Sequence, residues 1–225
     1  MLDCETDGLD PRTCKIIEIA VTLYDLKLAT PIASFAALAR GDSNAAEHIN
    51  GIPVASLAEA FEQERLWVAV CDLMTSADCI LAHNSSFDRS FVEASEGFKN
   101  FYRENAFRPP WVCTLNHVTW PGKRTRNDLT SLALSLGVPV IAAHRAATDV
   151  DILCRVLTRV AEMGINLQEL IGAAMAPRQK VCALVSFEQK DKAKAAGFNW
   201  EPSTKRWIKE ARVGEAFDFK TRVIP

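Results

Sequence analysis

No C-x-x-C pair occurs in this chain. Its seven cysteines (4, 14, 71, 79, 113, 154 and 182) are odd in number and widely spaced. That pattern excludes a disulfide framework and a zinc site of ordinary spacing, and makes a reducing, cytoplasmic setting the default. No apolar run approaches the roughly 18 residues a helix needs to cross a bilayer. No basic segment followed by an apolar stretch opens the chain, so a secretory signal is not expected. Internal repeats and low-complexity tracts are also missing. The expectation is a soluble cytoplasmic protein with no membrane partner.

A strong net charge is lacking too, at −2 overall, but the charge is unevenly spread. Residues 178–225 carry 11 Lys/Arg against 6 Asp/Glu, and residues 1–177 carry 15 against 22. An acidic body with a basic tail suggests two parts with different partners. At 225 residues and 48% hydrophobic, the chain can bury a sizeable core and still hold a small second module.

The β-branched run KIIEIAVTLYD (15–25) and the stretch PIASFAALAR (31–40) read as an antiparallel pair. Residues 56–74 have helical spacing, with Ser56 and Glu59 placed as a capping box. ADCILAHN (77–84) and WVCTL (111–115) read as short strands. SFDRSFVEAS (86–95), NDLTSLALSLG (127–137, with Asn127 as cap) and ATDVDILCRVLTRVAEMG (147–164) read as helices. Strands followed by strand–helix alternation predict an α/β domain with a mixed sheet. A short helix and linker follow, and then a small module of strand, helix (188–197) and hairpin, turning at Glu201-Pro202-Ser203-Thr204.

The opening MLDCETDGLD places Asp3 and Glu5 two apart on a strand, so both point to one side. A lone D-x-E is commonly solvated surface, because neighbouring anions repel unless a cation lies between them. Two later clusters change that reading. LAHNSSFDRSFV (81–92) puts Asp88 on the first turn of a helix, and AAHRAATDVDIL (142–153) puts His144 in a loop and Asp149 in a helix. If these elements converge, four carboxylates form a hard-oxygen pocket suited to Mg²⁺ or Mn²⁺.

DCET, HNSSFD and HRAATD, in this order, resemble the three motifs of the DEDDh (DnaQ-like) 3′→5′ exonucleases over roughly residues 1–165. INGIP (49–53) resembles that family's segment after the second hairpin strand, and WVCTLNHVTWPG (111–122) resembles its exodeoxyribonuclease X branch. The resemblance implies an RNase H-like mixed sheet flanked by helices, with a small α+β C-terminal module beside it. The implied division is an exonuclease domain at 1–165, a linker at 166–180 and a basic module at 181–225.

The resemblance also implies two divalent ions, Mg²⁺ or Mn²⁺, held by Asp3, Glu5, Asp88 and Asp149. His144 is the implied general base, a task that a histidine's ordinary pKa of about 6.5 suits. The implied products are 5′-nucleoside monophosphates cut from a free 3′ end, with DNA favoured over RNA and a role in DNA repair. Backbone around Thr6 and the side chain of Leu9 would meet the terminal nucleotide, with Asn84 a further contact. Phe87 and Cys113 are read as structural, Asp151 as solvated, and Asp7 and Asp10 as shaping the turn after the first strand. An RNA exonuclease, or a nucleic-acid-binding protein with a degraded exonuclease domain, stays open. So does a homodimer.

In the tail, KDKAKAAGFNWEPSTKRWIKE (190–210) interleaves cations with aromatics. Lys205 and Arg206 are read as nucleic-acid contacts. Trp200, Trp207 and Phe198 are read as the module's own core, because so small a domain needs large side chains inside. One feature sits uneasily with the resemblance: only Met1 and Leu2 precede the first carboxylate. Either the natural start lies further upstream, or the fold tolerates a short central strand and loses stability for it.

Overall fold

The computed structural model describes residues 1–104, 108–122, 126–142 and 144–224, so Ala143, just ahead of the third motif, lies outside it. The chain divides into two compact units, Met1–Met175 and Ala176–Pro225.

In the first unit, strands β1 (Leu2–Thr6), β2 (Ile16–Asp25) and β3 (Thr30–Leu38) form an antiparallel sheet in that order. β2 is central, and its first seven residues are buried, as expected of a β-branched run covered on both faces. β1 has only two apolar residues ahead of Asp3 but is five residues long. The carboxylates belong to the ladder itself, with Asp3 opposite Ala20 and Glu5 opposite Glu18, and a bulge follows Glu5.

Helices α1 (Glu47–Asn50), α2 (Val54–Ala58) and α3 (Gln63–Thr75) come next. The single helix expected over 56–74 is therefore two, and Ser56 caps neither. Backbone bonds to the end of β3 pull the chain out of helix between them. The Phe61 N–H donates to the Leu38 carbonyl (3.1 Å), and the Arg40 N–H donates to the Phe61 carbonyl (2.9 Å).

Strand β4 (Ile80–Ala82) leads into α4 (Ser85–Ala94) and α5 (Glu96–Glu104), and pairs in parallel with β5 (Trp111–Cys113). β4 also lies against β1. Helix α6 (Leu129–Ser135) is capped by Asp128, not Asn127: the Ser131 N–H donates to the Asp128 carboxylate at 2.6 Å. Helices α7 (Ala146–Glu162) and α8 (Leu167–Ala174) complete the unit.

Side-chain alternation along β1 and β2 divides the core. Leu2, Cys4, Ile19 and Val21 pack with α3 and α4 through Leu66, Val70, Met74 and Phe91. Met1 and Ala20 pack on the other face with α6, α7 and α8 through Leu132, Leu153, Leu157 and Ile171. Odd-numbered β1 residues therefore face α7, which puts Asp3 and Glu5 on the side where α7 carries Asp149.

The second unit is a four-stranded antiparallel sheet built from β6 (Arg178–Ala183), β7 (Asn199–Glu201), β8 (Arg206–Arg212) and β9 (Thr221–Val223), in the order β7-β8-β6-β9. A 3₁₀ turn (Phe187–Gln189) and helix α9 (Lys190–Ala195) cover one face. Phe198, Val181, Ala183, Ala193 and Ala211 form its core, with Phe217, Phe219 and Trp207 packed against them. Trp200, expected inside, is 48% exposed and leans on Trp207 with ring centroids 5.5 Å apart. Phe217 and Phe219 pack against Phe198 instead. Among the described residues, no helix is long and apolar enough to cross a membrane.

Candidate active site

Asp3, Glu5 and Asp149 each offer a carboxylate oxygen, and these oxygens lie within 4.8 Å of one another. Two come from successive positions on the α7-facing side of β1 and the third from the first turn of α7. Asp88 reaches the same region from α4, on the opposite side of the sheet. It is 3% exposed, and its Oδ1 accepts from the Cys4 backbone N–H (3.1 Å) and the Cys4 thiol (3.4 Å). Asp88 is thus turned onto the backbone between Asp3 and Glu5, and it is not one of the three clustered oxygens.

The electrostatics follow from burying like charges together. Burial holds Asp3 well above the usual carboxylate range, and the Asp88, Asp149, Glu5 and Glu18 carboxylates push it further. Glu5 is pushed up to about 7 by burial and by Asp149 and Glu18, with the Arg145 guanidinium opposing. Burial also raises Asp88, against the two hydrogen bonds from Cys4. It raises Asp149 against the His144 backbone N–H and the His144 charge. Such a cluster is disfavoured as charged groups until a cation joins it. Its donors are all hard oxygens, so the residues fit Mg²⁺ or Mn²⁺ and not a thiophilic metal.

His144 is exposed, with a left-handed backbone (φ 66°). Asn84 is also left-handed (φ 94°), at the start of α4, and its side-chain oxygen accepts from the Ser86 hydroxyl at 3.2 Å. Asparagine and histidine tolerate this conformation better than most residues. The Thr6 hydroxyl donates to the Gly8 carbonyl (2.7 Å) in the turn after β1, and Leu9 projects from that turn 85% exposed. Asp7 closes the turn by accepting from the Lys15 N–H at 2.6 Å. Phe87 packs beside Phe91 with centroids 5.0 Å apart. Asp151 points outward, with a side chain 64% exposed.

Two groups near the site went unread in the sequence. Glu18 on β2 is 4% exposed and accepts from Arg145 Nε and Nη2, at 2.9 and 2.7 Å. Its Oε2 also accepts from the Ala146 N–H at 3.1 Å. One carboxylate therefore ties the residue after His144, and the start of α7, to the strand opposite Glu5. The available signal was a lone acid inside the apolar run IIEIAV. The second group is Asn50, 5% exposed, which donates to the Thr6 carbonyl at 3.2 Å and is held by Asn44. INGIP thus braces the end of β1.

A layered α/β/α unit with carboxylates from β1 and α7 facing each other has the architecture of an RNase H-like nuclease. The chain belongs to the RNase_T exonuclease family, whose sequence model, described as "Exonuclease", matches residues 1–157. A second model, a domain of unknown function (DUF8626), matches residues 179–220. Among curated proteins, a PolC-type DNA polymerase III from Thermotoga petrophila is 29% identical over 164 residues. The match covers 72% of this chain and 12% of that protein, so the chain spans about an eighth of its relative's length.

Among solved structures, Exonuclease X in complex with 5′-overhanging duplex DNA has a TM-score of 0.53 at 23% identity, covering 77% of this chain and 97% of that one. The nuclease domain of 3′hExo, a DEDDh family member bound to rAMP, has a TM-score of 0.58 at 19% identity, covering 74% and 92%. Exonuclease I from Methylocaldum szegediense has a TM-score of 0.61 at 18% identity, covering 85% and 48%. At these identities the structures share a fold with this chain. The family match makes residues 1–157 an exonuclease domain.

Proposed function

We propose that the protein shortens DNA from its 3′ end by metal-dependent phosphodiester hydrolysis, releasing 5′-nucleoside monophosphates. The observation that carries this reading is the convergence of Asp3, Glu5 and Asp149, with Arg145, the residue after His144, fastened to Glu18 opposite Glu5. Asp3, Glu5 and Asp149 would hold the metal, joined by Asp88 once it turns from Cys4. Two divalent ions, when bound, supply an activated water and neutralise charge at the scissile phosphate and the leaving 3′ oxygen.

The chain's own residues do the rest. His144 takes the proton of the attacking water, and its exposed position gives it access to substrate. Glu18 fastens Arg145 and the Ala146 N–H to the sheet, which would keep the adjoining His144 close to the carboxylates. The Thr6 backbone and Leu9 side chain meet the terminal nucleotide, the latter with an apolar surface open to solvent. Asn84 lines the same substrate path at the start of α4.

DNA is favoured because Exonuclease X, which is covered almost whole by the match, was solved with DNA. The rAMP bound to 3′hExo supports RNA as the second reading. The test is cleavage of matched 5′-labelled DNA and RNA oligonucleotides with Mg²⁺, with Asp88→Ala as control. A ladder shortened from the 3′ end of DNA, ending in mononucleotides and absent in Asp88→Ala, is expected. Faster loss of RNA would transfer the proposal to RNA. Equal cleavage by wild type and Asp88→Ala would remove these residues from the mechanism.

A further inference from the structure

The second unit leaves two aromatic side chains, Phe187 and Trp200, open where a domain so small would be expected to hide them. At one end of its sheet lies a cleft of about 400 Å³, within the range of small-ligand sites. Phe187, 81% exposed, stands on one wall, and Trp200, backed by Trp207, stands on another. Lys205, Arg206 and Arg222 supply the cations, and the described residues that line the cleft include no carboxylate. The Lys190 ammonium lies over one face of the Phe187 ring, 4.0 Å from its centroid, so a base would stack on the opposite face. The whole segment from 178 onward carries 11 Lys/Arg against 6 Asp/Glu.

Flat aromatic faces bordered by cations match one ligand chemistry better than others. A single-stranded nucleic acid offers unpaired bases to stack and phosphates to pair, and stacking does not depend on base identity. An acidic peptide would use the cations but leave Phe187 and Trp200 idle. We propose that this cleft binds single-stranded nucleic acid, with bases stacked on Trp200 and Phe187 and phosphates on Lys205, Arg206 and Arg222. The matched domain of unknown function then has a role: it grips a strand for the exonuclease encoded in the same chain. The proposal rests on family membership and not on the metal chemistry, so it can fail or hold independently of the catalytic mechanism.

The test is fluorescence anisotropy of the full-length chain with labelled oligothymidylate and oligouridylate, in EDTA so that no cleavage intervenes. Trp200→Ala and Phe187→Ala are each expected to weaken binding of both probes by about 5- to 100-fold. Trp200→Phe should keep most of the affinity. Lys205→Gln with Arg206→Gln should lower the slope of log affinity against log salt by about 1 to 1.5. If Trp200→Ala also lowers the melting temperature, Phe187→Ala, lying in the 3₁₀ turn outside the sheet, decides. Affinities within twofold of wild type for the folded aromatic variants would overturn the proposal. So would oligoglutamate displacing the probes as well as unlabelled oligothymidylate does.

Discussion

Asp88 is buried where Asp3, Glu5 and Asp149 are half-buried, and its hydrogen-bond donors are a backbone amide and a thiol, so no cation among the described residues offsets its charge beside Asp3. Asp88→Asn keeps an oxygen for Cys4 and removes the charge. In EDTA near pH 7.5 that variant should melt above wild type, while Mg²⁺-dependent cleavage falls at least about 100-fold. A lower melting point would contradict the account of strained like charges. The same charges set a pH dependence. With folded-state pKa values raised, the folded protein retains protons that the unfolded chain has released. Stability therefore falls as pH rises through the window. For Glu5 the window runs from the ordinary 4.5 to about 7. The metal-free melting temperature should drop between those pH values and level off above them. Because the metal needs the deprotonated acids, the gain from Mg²⁺ should grow over the same range. Melting curves with and without Mg²⁺ would check both, and a flat metal-free profile would count against the cluster.

Elements are held in register here by a few long-range polar bonds as well as by packing. Glu18 on β2 fastens the start of α7, so Arg145→Met would strand a buried carboxylate while Glu18→Gln would leave a neutral group. Arg145→Met should cost more stability, and both should slow cleavage by about 10- to 100-fold, as loss of a positioning partner does. Cleavage within twofold of wild type would make the pair purely structural. Packing sets a second constraint at α5. A methyl group on Gly97 would run into the ring of Trp67, itself 3% exposed on α3. Gly97→Ala should therefore destabilise by about 1–3 kcal/mol through overpacking, readable in urea denaturation. The split between α2 and α3 belongs to this scale as well. Helical periodicity ran unbroken through 56–74, and only the bonds from Phe61 to the end of β3 interrupted it.

The whole molecule joins an acidic exonuclease unit to a basic one with its own core. Removing residues 176–225 should leave metal-dependent cleavage intact, raise the substrate concentration needed for it, and flatten the salt dependence of binding. Initial rates at several salt concentrations would measure this. Identical curves for the full and shortened chains would assign the second unit some task other than holding substrate.

The chemistry was legible in the sequence wherever it depends on local spacing. Asp3 and Glu5 share a face because strand side chains alternate, and Asp88 and Asp149 fall in first helical turns because their motifs open those helices. Helices α4 and α7 and the β2–β3 pair were legible for the same reason: periodicity and turn residues act over a few positions. Contacts between residues far apart in the chain were not. That Asp88 bonds Cys4, that Glu18 locks Arg145, and that Phe217 and Phe219, not Trp200, join Phe198 in the second core each depend on which surfaces meet after folding. Local preference determined which carboxylates could share a site. Only the packing of the layers decided which three oxygens stand within 4.8 Å and which acid is held aside.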